Sequence, residues 1–339
     1  AETCAAIGMV LWNQRMYLAT GEPRYAEIME RSLYNGALAG MGMTGDLFFY
    51  DNPLGSKGDH HRVPWFDCSC CPSNLVRFLP SLGERIYATR GDDELWVALY
   101  VGSETTVEMD GVPVKVRMET DYPWDGKVVL HVDPEEPVEF SLVVRRPGWV
   151  WPRTVRVLQI GDQRYEQVDG QPRGPSITLG GDEHVAPGEE LGAFHPFLRT
   201  WQAGDRLELQ LPLEPDYVFA DERVEANRGR QALMRGPLVY AAEEVDNPAG
   251  VRNQVSTPGG KVTASFDPDL LGGVVKLHAS GPLVIGRAGT QRLTKPDTPF
   301  TLIPYAFWDN REPGEMVVWM PLWPELAEVR GEAAVVEQG

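Results

Sequence analysis

The spacing of apolar residues divides the chain into a helical part and a longer part made of short strands. Residues 5–18 are apolar almost all round, which predicts a helix buried between other helices. Residues 24–41 and 73–88 continue with helical spacing, and Pro80 predicts a kink in the second of these segments. We therefore expect a helical region up to about residue 92.

Beyond that point the apolar period changes to two. Runs such as LWVALYV, KVVLHVD and RLELQLPL alternate between turn residues, which predicts a β-sandwich. The pairs Asp110-Gly111 and Asp125-Gly126 are expected to form tight hairpin turns. Strands after residue 219 could complete this sandwich or form another, and the second arrangement is favoured. The predicted regions are helices in 1–92, a β-sandwich in 93–218, a second, smaller β-sandwich in 219–325 and a tail in 326–339.

Composition narrows the range of partners. The formal net charge is −18, which argues against nucleic acid or an anionic membrane surface, because both need clustered cations. Hydrophobic residues make up 42% of the chain, enough for a substantial core, but no apolar run is long enough to span a membrane. The opening AETCAAIGMV has no basic segment of the kind that begins a secretory signal.

Cysteine placement is the most unusual feature of the sequence. Cys68, Cys70 and Cys71 fall within the stretch FDCSCCP, and Cys4 lies near the N-terminus. Pairing inside so tight a cluster would strain a disulfide. Free thiols or thiols bound to a metal are therefore favoured, which indicates a reducing compartment and favours a cytoplasmic location.

The cluster is suited to a metal or to covalent catalysis. Cys70 and Cys71 come just before a predicted helix, and helix N-termini stabilise anions, so we expect thiolates to be favoured at both positions. Glu2 and Cys4 are two residues apart, so both can reach one metal only if the backbone is extended there before the helix begins. One oxygen and three sulfurs would suit zinc.

An equal alternative is that Cys4 is a small buried hydrophobe and that CSCC is a buried loop. From the residues alone, a structural zinc is favoured over a catalytic one.

Resemblance to a known family rests on seven stretches: ETCAAIG, MERSLYNG, GDLFFYDNPL, WFDCSCCPSN, DYPWDGKVVL, VVRRPGW and RGRQALMRGPLVYAAE. Together they resemble the cysteine glycosidases of glycoside hydrolase family 127, the retaining β-L-arabinofuranosidases. The resemblance runs from residue 2 to about residue 245, and more weakly to residue 325. It implies a multidomain α and β fold, the C-terminal part of an (α/α)6 barrel followed by β-sandwich domains.

The resemblance also implies a mechanism. Zinc would be held by Glu2, Cys4, Cys70 and Cys71, and Cys70 would be the nucleophile as well as a ligand. Its thiolate would attack the anomeric carbon, and water would then release arabinose with retained configuration. The implied substrate is a plant-derived arabinofuranoside glycan.

Other candidate residues follow from the same alignment. Glu30 and Tyr50 match family positions that line the sugar pocket. The alternative for Glu30 is a charge on a helix surface, and the alternative for Tyr50 is an aromatic residue of the core. His60 and His61 could be pocket residues or part of a solvated loop, and the loop is favoured. Cys68 receives no role.

The helical region holds three or four predicted helices, whereas a complete (α/α)6 barrel has twelve. In the family the glutamate that acts as general acid/base lies a short way upstream of the ETC motif. The resemblance therefore implies that the chain is the C-terminal portion of a family enzyme. This portion would lack the proton donor and would be inactive or poorly soluble alone.

Two alternatives remain open: a non-catalytic carbohydrate-binding or oligomerisation module with a structural zinc, and a related glycosidase of different sugar specificity. Family members can pair through their β regions, so a homodimer is compatible with the sequence.

Overall fold

A computed structural model describes residues 2–150, 156–160, 163–167, 176–179, 182–185, 194–257, 259–288, 291–322 and 334–336 of the 339-residue chain. Within these residues the α-helices are α1 (Thr3–Thr20), α2 (Pro23–Arg31) and α3 (Cys70–Phe78). The strands are β1 (Gly55–Lys57), β2 (Tyr87–Arg90), β3 (Glu94–Val97), β4 (Ser103–Met109), β5 (Val112–Thr120), β6 (Lys127–Pro134), β7 (Val138–Arg145), β8 (Arg156–Ile160), β9 (Gln163–Gln167), β10 (Ser176–Leu179), β11 (Asp182–Val185), β12 (Phe194–Trp201), β13 (Asp205–Gln210), β14 (Pro215–Val218), β15 (Arg230–Arg235), β16 (Leu238–Glu243), β17 (Thr263–Asp267), β18 (Val274–Ala288), β19 (Gln291–Pro304), β20 (Glu315–Val317), β21 (Met320–Pro321) and β22 (Ala334–Val336). The chain is thus a mixed fold with few helices and mostly β-sheet, as the sequence pattern predicts.

Glycine and proline shape the helical region. Gly21 ends α1 in the left-handed conformation (φ 69°), and its amide caps the Tyr17 carbonyl. The helix predicted over 24–41 begins as α2 but continues as a π-helical turn over Ser32–Ala37 and a 3₁₀ turn over Leu38–Gly40. Likewise α3 passes into a 3₁₀ segment, Leu79–Arg85, whose second residue is Pro80. The helix therefore changes type beside Pro80, because proline cannot donate the α-helical amide hydrogen bond, whereas the predicted kink stays a prediction.

The middle region is a β-sandwich, as predicted. One sheet has the strand order β11-β10-β13-β6-β5-β4, and the other has the order β12-β7-β3-β2. Their inner faces share a core in which Val116, Leu130, Phe140 and Trp201 are fully buried. This alternation of buried and exposed positions is what the period of two in the sequence indicates.

Only one of the two hairpin predictions holds. Asp110 and Gly111 both have positive φ (45° and 74°) and join β4 to β5 in a tight turn. Asp125-Gly126 was expected to do the same and does not, because the connection between β5 and β6 occupies residues 121–126. Gly126 instead lies against the Leu211 carbonyl, where a Cβ would come within 1.8 Å of the oxygen.

The C-terminal region is built around a branched ten-stranded sheet with the main order β1-β20-β16-β19-β18-β17. Its first strand comes from the N-terminal region: Gly55 pairs with Val317 and Lys57 with Glu315. The segment between α2 and α3 is therefore fastened to the C-terminal sheet. Of the predicted tail, 326–339, the structure describes only β22, which runs parallel to β19, and the rest lies outside the described residues. The predicted domain boundaries and the division into two sandwiches stay predictions.

In the part of the chain that the structure covers, no helix combines the length and the apolar character that a membrane crossing requires.

Candidate metal and catalytic centre

The sulfur atoms of three of the four cysteines lie close together. The sulfur atoms of Cys4, Cys70 and Cys71 all lie within 4.8 Å of one another, and the sulfurs of Cys70 and Cys71 are 3.6 Å apart. The cysteines are not disulfide-bonded. Residues 66 positions apart in the chain thus form a compact set of soft ligand atoms, which is the donor type that zinc prefers.

Two helix N-termini hold this cluster. Cys4 is the second residue of α1, and Cys70 and Cys71 are the first two residues of α3. The backbone amides of a first helical turn have no intrahelical partner and carry positive partial charge. The Cys4 amide is used in this way, since it hydrogen-bonds the sulfur of Cys71. This hydrogen bond by itself favours negative charge at the Cys71 sulfur.

The thiols differ in exposure. Cys71 is fully buried, Cys4 and Cys70 are half-buried, and Cys68 is exposed outside the cluster. Burial raises the pKa of the Cys71 thiol, so the expectation of a favoured thiolate at this position is wrong for the protein without a cation. Desolvation outweighs the helix N-terminus here, and a cation at the cluster would reverse the balance because thiols deprotonate on binding a metal.

Glu2 enters the site from an extended backbone, as the spacing of Glu2 and Cys4 requires. Its φ and ψ are −127° and 157°, and α1 begins at the next residue. The Thr3 amide donates to the Tyr50 carbonyl at 3.0 Å, which places Tyr50 beside Glu2. The Tyr50 hydroxyl hydrogen-bonds the Glu2 carboxylate, and that bond raises the pKa of Tyr50, with smaller contributions from the charges of Glu2 and of Cys70. The Glu2 oxygens lie outside the group of mutually close sulfurs, so the structure brings together three of the four expected ligands.

Glu30 lies in a different environment. Its carboxylate is 1% exposed and accepts hydrogen bonds from the Tyr122 hydroxyl at 2.8 Å and from the Arg145 guanidinium. The Trp149 indole donates to the second oxygen at 3.4 Å. Burial raises the pKa of Glu30, and the charge of Arg145 opposes this. These contacts join α2 to the β-sandwich. The alternative of a surface charge is wrong, and the predicted role in sugar binding stays a prediction.

The histidine pair is not a free solvated loop. The His60 ring stacks on Phe49 with centroids 5.0 Å apart, and Phe49 stacks on Trp308 at 4.8 Å. His61 hydrogen-bonds the Asp309 carboxylate through Nδ1, and this bond raises the pKa of His61. The preferred interpretation is therefore incomplete: His61 is exposed, but both rings fasten their segment to the C-terminal region.

Arg62 also positions the candidate centre, although no sequence motif indicates a role for it. Its guanidinium is buried, lies 4.2 Å from the centre of the Phe49 ring, and donates to the carbonyls of Ala39, Ala306 and Trp308. Burial lowers the pKa of Arg62 to about 10. Because Arg62 precedes the WFDCSCC stretch, its contacts fix the start of the segment that leads into Cys70 and Cys71.

Three family models match the chain in order. They are the beta-L-arabinofuranosidase GH127 catalytic domain over residues 1–84, the GH127 middle domain over 94–213 and the glycoside hydrolase family 127 C-terminal domain over 215–321. Together they account for nearly the whole chain.

Curated and solved relatives agree with these matches. A non-reducing end beta-L-arabinofuranosidase from Bifidobacterium longum subsp. longum is 33% identical over 350 residues, covering 94% of this chain and 48% of that protein. Ara127N-Se, a GH127 beta-L-arabinofuranosidase from Geobacillus stearothermophilus T6, is 39% identical with a TM-score of 0.82, covering 95% of this chain and 50% of that one. The GH127 beta-arabinofuranosidase BT3674 is 34% identical with a TM-score of 0.85, covering 99% and 50%. The chain spans about half the length of these relatives.

Proposed function

This chain belongs to glycoside hydrolase family 127, and we propose that it acts within a retaining glycosidase that releases L-arabinofuranose from β-L-arabinofuranosides, with Cys70 as nucleophile. Zinc bound by Glu2, Cys4, Cys70 and Cys71 is part of the proposal. Because the chain spans about half the length of its relatives, the activity of a whole family enzyme and its substrate, a plant-derived arabinofuranoside glycan, are likewise proposed.

The observation that carries the proposal is the convergence of three cysteine sulfurs. Zinc–sulfur bonds of about 2.3 Å in a tetrahedron place neighbouring sulfurs about 3.8 Å apart. The 3.6 Å between Cys70 and Cys71, and the 4.8 Å limit for the set with Cys4, fit that requirement without large movement. A purely apolar role for these cysteines would not require their sulfurs to face one another. When bound, zinc would keep the sulfurs deprotonated near neutral pH.

Exposure distinguishes the nucleophile from its neighbour. Cys71 is fully buried, whereas Cys70 is half-buried and within reach of a ligand from outside. In the proposed reaction a bond forms between the sulfur of Cys70 and the anomeric carbon while the glycosidic carbon–oxygen bond breaks. The leaving oxygen takes a proton from a general acid, and the same group then accepts a proton from the water that displaces the sulfur as a thiolate, so two inversions retain the configuration. None of the residues named above is assigned the role of general acid/base.

Tyr50 supports substrate positioning better than Glu30 does. The Tyr50 side chain is half-buried, contacts Glu2 and lies near Cys70. Its hydroxyl is thus placed to meet a sugar hydroxyl once Glu2 turns towards a metal. Glu30, in contrast, is buried and engaged in an ion pair with Arg145.

The helices fit the proposal that they form part of an (α/α)6 barrel. Trp12 on α1 and Val76 on α3 are 65% and 63% exposed, respectively. Exposed large apolar side chains on adjacent helices are typical of faces that further helices cover. A homodimer and a cytoplasmic location stay predictions from the sequence.

Zinc content per chain tests the proposal. We expect about one zinc in the wild type and in Cys68→Ser, whose thiol lies outside the cluster, and loss of zinc in Cys4→Ser, Cys70→Ser and Glu2→Gln. A folded wild type without zinc, after dialysis against a zinc-containing buffer, would contradict the proposed centre.

Alkylation separates a catalytic from a structural centre. Iodoacetamide should modify Cys70 and be blocked there by arabinose, whereas modification of Cys68 should continue in its presence. Zinc binding with no arabinose protection would favour the alternative of a non-catalytic module with a structural zinc. Protection by a different sugar would favour a related glycosidase specificity.

A further inference from the structure

A cavity of about 370 Å³ lies where β1 joins the C-terminal sheet, and none of its lining residues belongs to the thiol cluster. Leu54 and Gly55 line it at the start of β1, and the other lining residues include members of β15, β20 and β21. Small-molecule sites are commonly of this size and lie at junctions between domains. The cavity is thus a candidate ligand site that the proposed chemistry does not use.

Two arginines and a tryptophan give this cavity its character. Arg230 and Arg252 line it together with Asn227, and the half-buried Trp319 supplies an aromatic wall. The Arg230 Nη1 donates to the Trp319 carbonyl at 3.0 Å, which fixes that guanidinium against the wall. Arg252 forms a long ion pair with Glu315, with 4.0 Å between Nε and the carboxylate oxygen, and Glu315 does not itself line the cavity.

The two arginines are positively charged, whereas the chain as a whole is negatively charged. The chain carries a net charge of −18, yet two guanidiniums face one cavity whose lining contains no carboxylate. An anion bound in the cavity would be attracted by both guanidinium charges. Guanidinium groups bind carboxylates through paired hydrogen bonds, with a planar fork that matches the two oxygens.

The apolar side of the cavity suits a ring rather than a simple ion. Trp319 and Leu54 add apolar surface to the lining, and Asn227 can donate to and accept from a hydroxyl. An aromatic wall with a few convergent polar groups is typical of sites that bind a ring with both faces and hydroxyls to contact. The ligand that satisfies both sides is a sugar ring that bears a carboxylate.

We propose that this cavity binds a uronate, that is, a sugar unit with a carboxylate, with Arg230 and Arg252 on the carboxylate and Trp319 against the ring. The site does not depend on Cys70 and goes beyond the proposed hydrolysis. The cavity is nevertheless close to Tyr50 along the chain, because Leu54 is four residues from Tyr50, a span of at most about 14 Å. If the proposed function also holds, one acidic glycan could contact both sites.

Calorimetric titration of the whole chain with D-galacturonate tests the proposal, with D-galactose as the neutral control. We expect measurable binding of galacturonate, little of galactose, and a loss of about tenfold or more in Arg252→Gln and Arg230→Gln, because each removes a charge-assisted contact. Trp319→Leu should weaken binding as well. Arg228→Gln is the matched control, since Arg228 is nearby but exposed and paired with Glu225.

Three results would overturn the proposal: no binding of galacturonate to the folded wild type, equal binding of galactose, or equal binding of acetate and sulfate, which would indicate an unspecific anion site. Arg230 also supports the Trp319 backbone, so the half-exposed Arg252 is the decisive variant if Arg230→Gln fails to fold. None of these measurements uses hydrolysis, so the outcome is independent of the proposed role of Cys70.

Discussion

The Nδ1 atom of His61 lies 2.7 Å from an Oδ atom of Asp309, across the boundary between the thiol-bearing segment and the C-terminal region. The other carboxylate oxygen accepts the Arg62 amide at 2.7 Å, and the Asp309 amide donates to Glu243 at 2.9 Å. One aspartate thus ties the loop that leads into Cys70 to the sheet of another region. The C-terminal region therefore positions the candidate centre as well as lying beside it.

Replacing Asp309 with alanine should destabilise the protein. The carboxylate is largely buried and accepts two hydrogen bonds, one of them from a histidine that it helps to charge. Loss of such bonds costs roughly 2–4 kcal/mol in the free energy of unfolding. Urea denaturation would measure the change, with the exposed Asp59→Asn as control, and equal stability of the two variants would contradict the proposed tie.

The contribution of His61 should depend on pH. Its folded-state pKa is raised, chiefly by the hydrogen bond to Asp309. A raised pKa means that the stabilising effect is fully present below the unfolded value of about 6.5 and is lost as the pH rises through the folded pKa. The difference in unfolding free energy between wild type and His61→Gln should therefore be larger at acidic pH than at alkaline pH. A difference that stays constant from below pH 6.5 to well above it would exclude this linkage.

The sequence could predict the type of each region but not the contacts that join them. Periodicity distinguishes helices from strands, because burial on one face repeats with the geometry of each element. Nothing local relates Cys4 to Cys70, so their meeting could be expected only from the family resemblance. The three-residue strand β1 has no alternation to detect, and the burial that raises the pKa of Cys71 comes from tertiary packing. Arg62 was missed for the same reason, since carbonyl partners from distant segments leave no mark on the sequence.

Replacing Arg145 with methionine should destabilise the junction between α2 and the sandwich. Its guanidinium is fully buried and pairs with Glu30 and, at 3.4 Å, with Glu27. Removing one partner leaves a buried carboxylate uncompensated, at a cost of roughly 3–5 kcal/mol.

The double variant Arg145→Met with Glu30→Gln should recover part of that loss, which a double-mutant cycle of thermal or urea unfolding would measure. Strictly additive effects of the two substitutions would show that the pair is not coupled. If the single variant Glu30→Gln instead keeps its stability but loses sugar binding, the predicted role of Glu30 in the pocket would be supported.

Gly40 should be indispensable to the position of the thiol cluster. A Cβ at Gly40 would lie 2.3 Å from the Thr3 side chain, whose hydroxyl donates to the Phe49 carbonyl at 2.9 Å. Thr3 precedes Cys4, so Gly40→Ala should displace the first turn of α1 as well as overpack the core. We expect a loss of about 1–3 kcal/mol in unfolding free energy and weaker zinc binding in a competition assay with a chelator.

Gly8→Ala provides the matched control for this prediction. Gly8 lies in the middle of α1, and a Cβ there would meet nothing within 4 Å. Because alanine favours a helix over glycine, this variant should gain up to about 1 kcal/mol and bind zinc as the wild type does. If Gly40→Ala bound zinc as tightly as Gly8→Ala, the position of the thiols would not depend on the contact between Gly40 and Thr3.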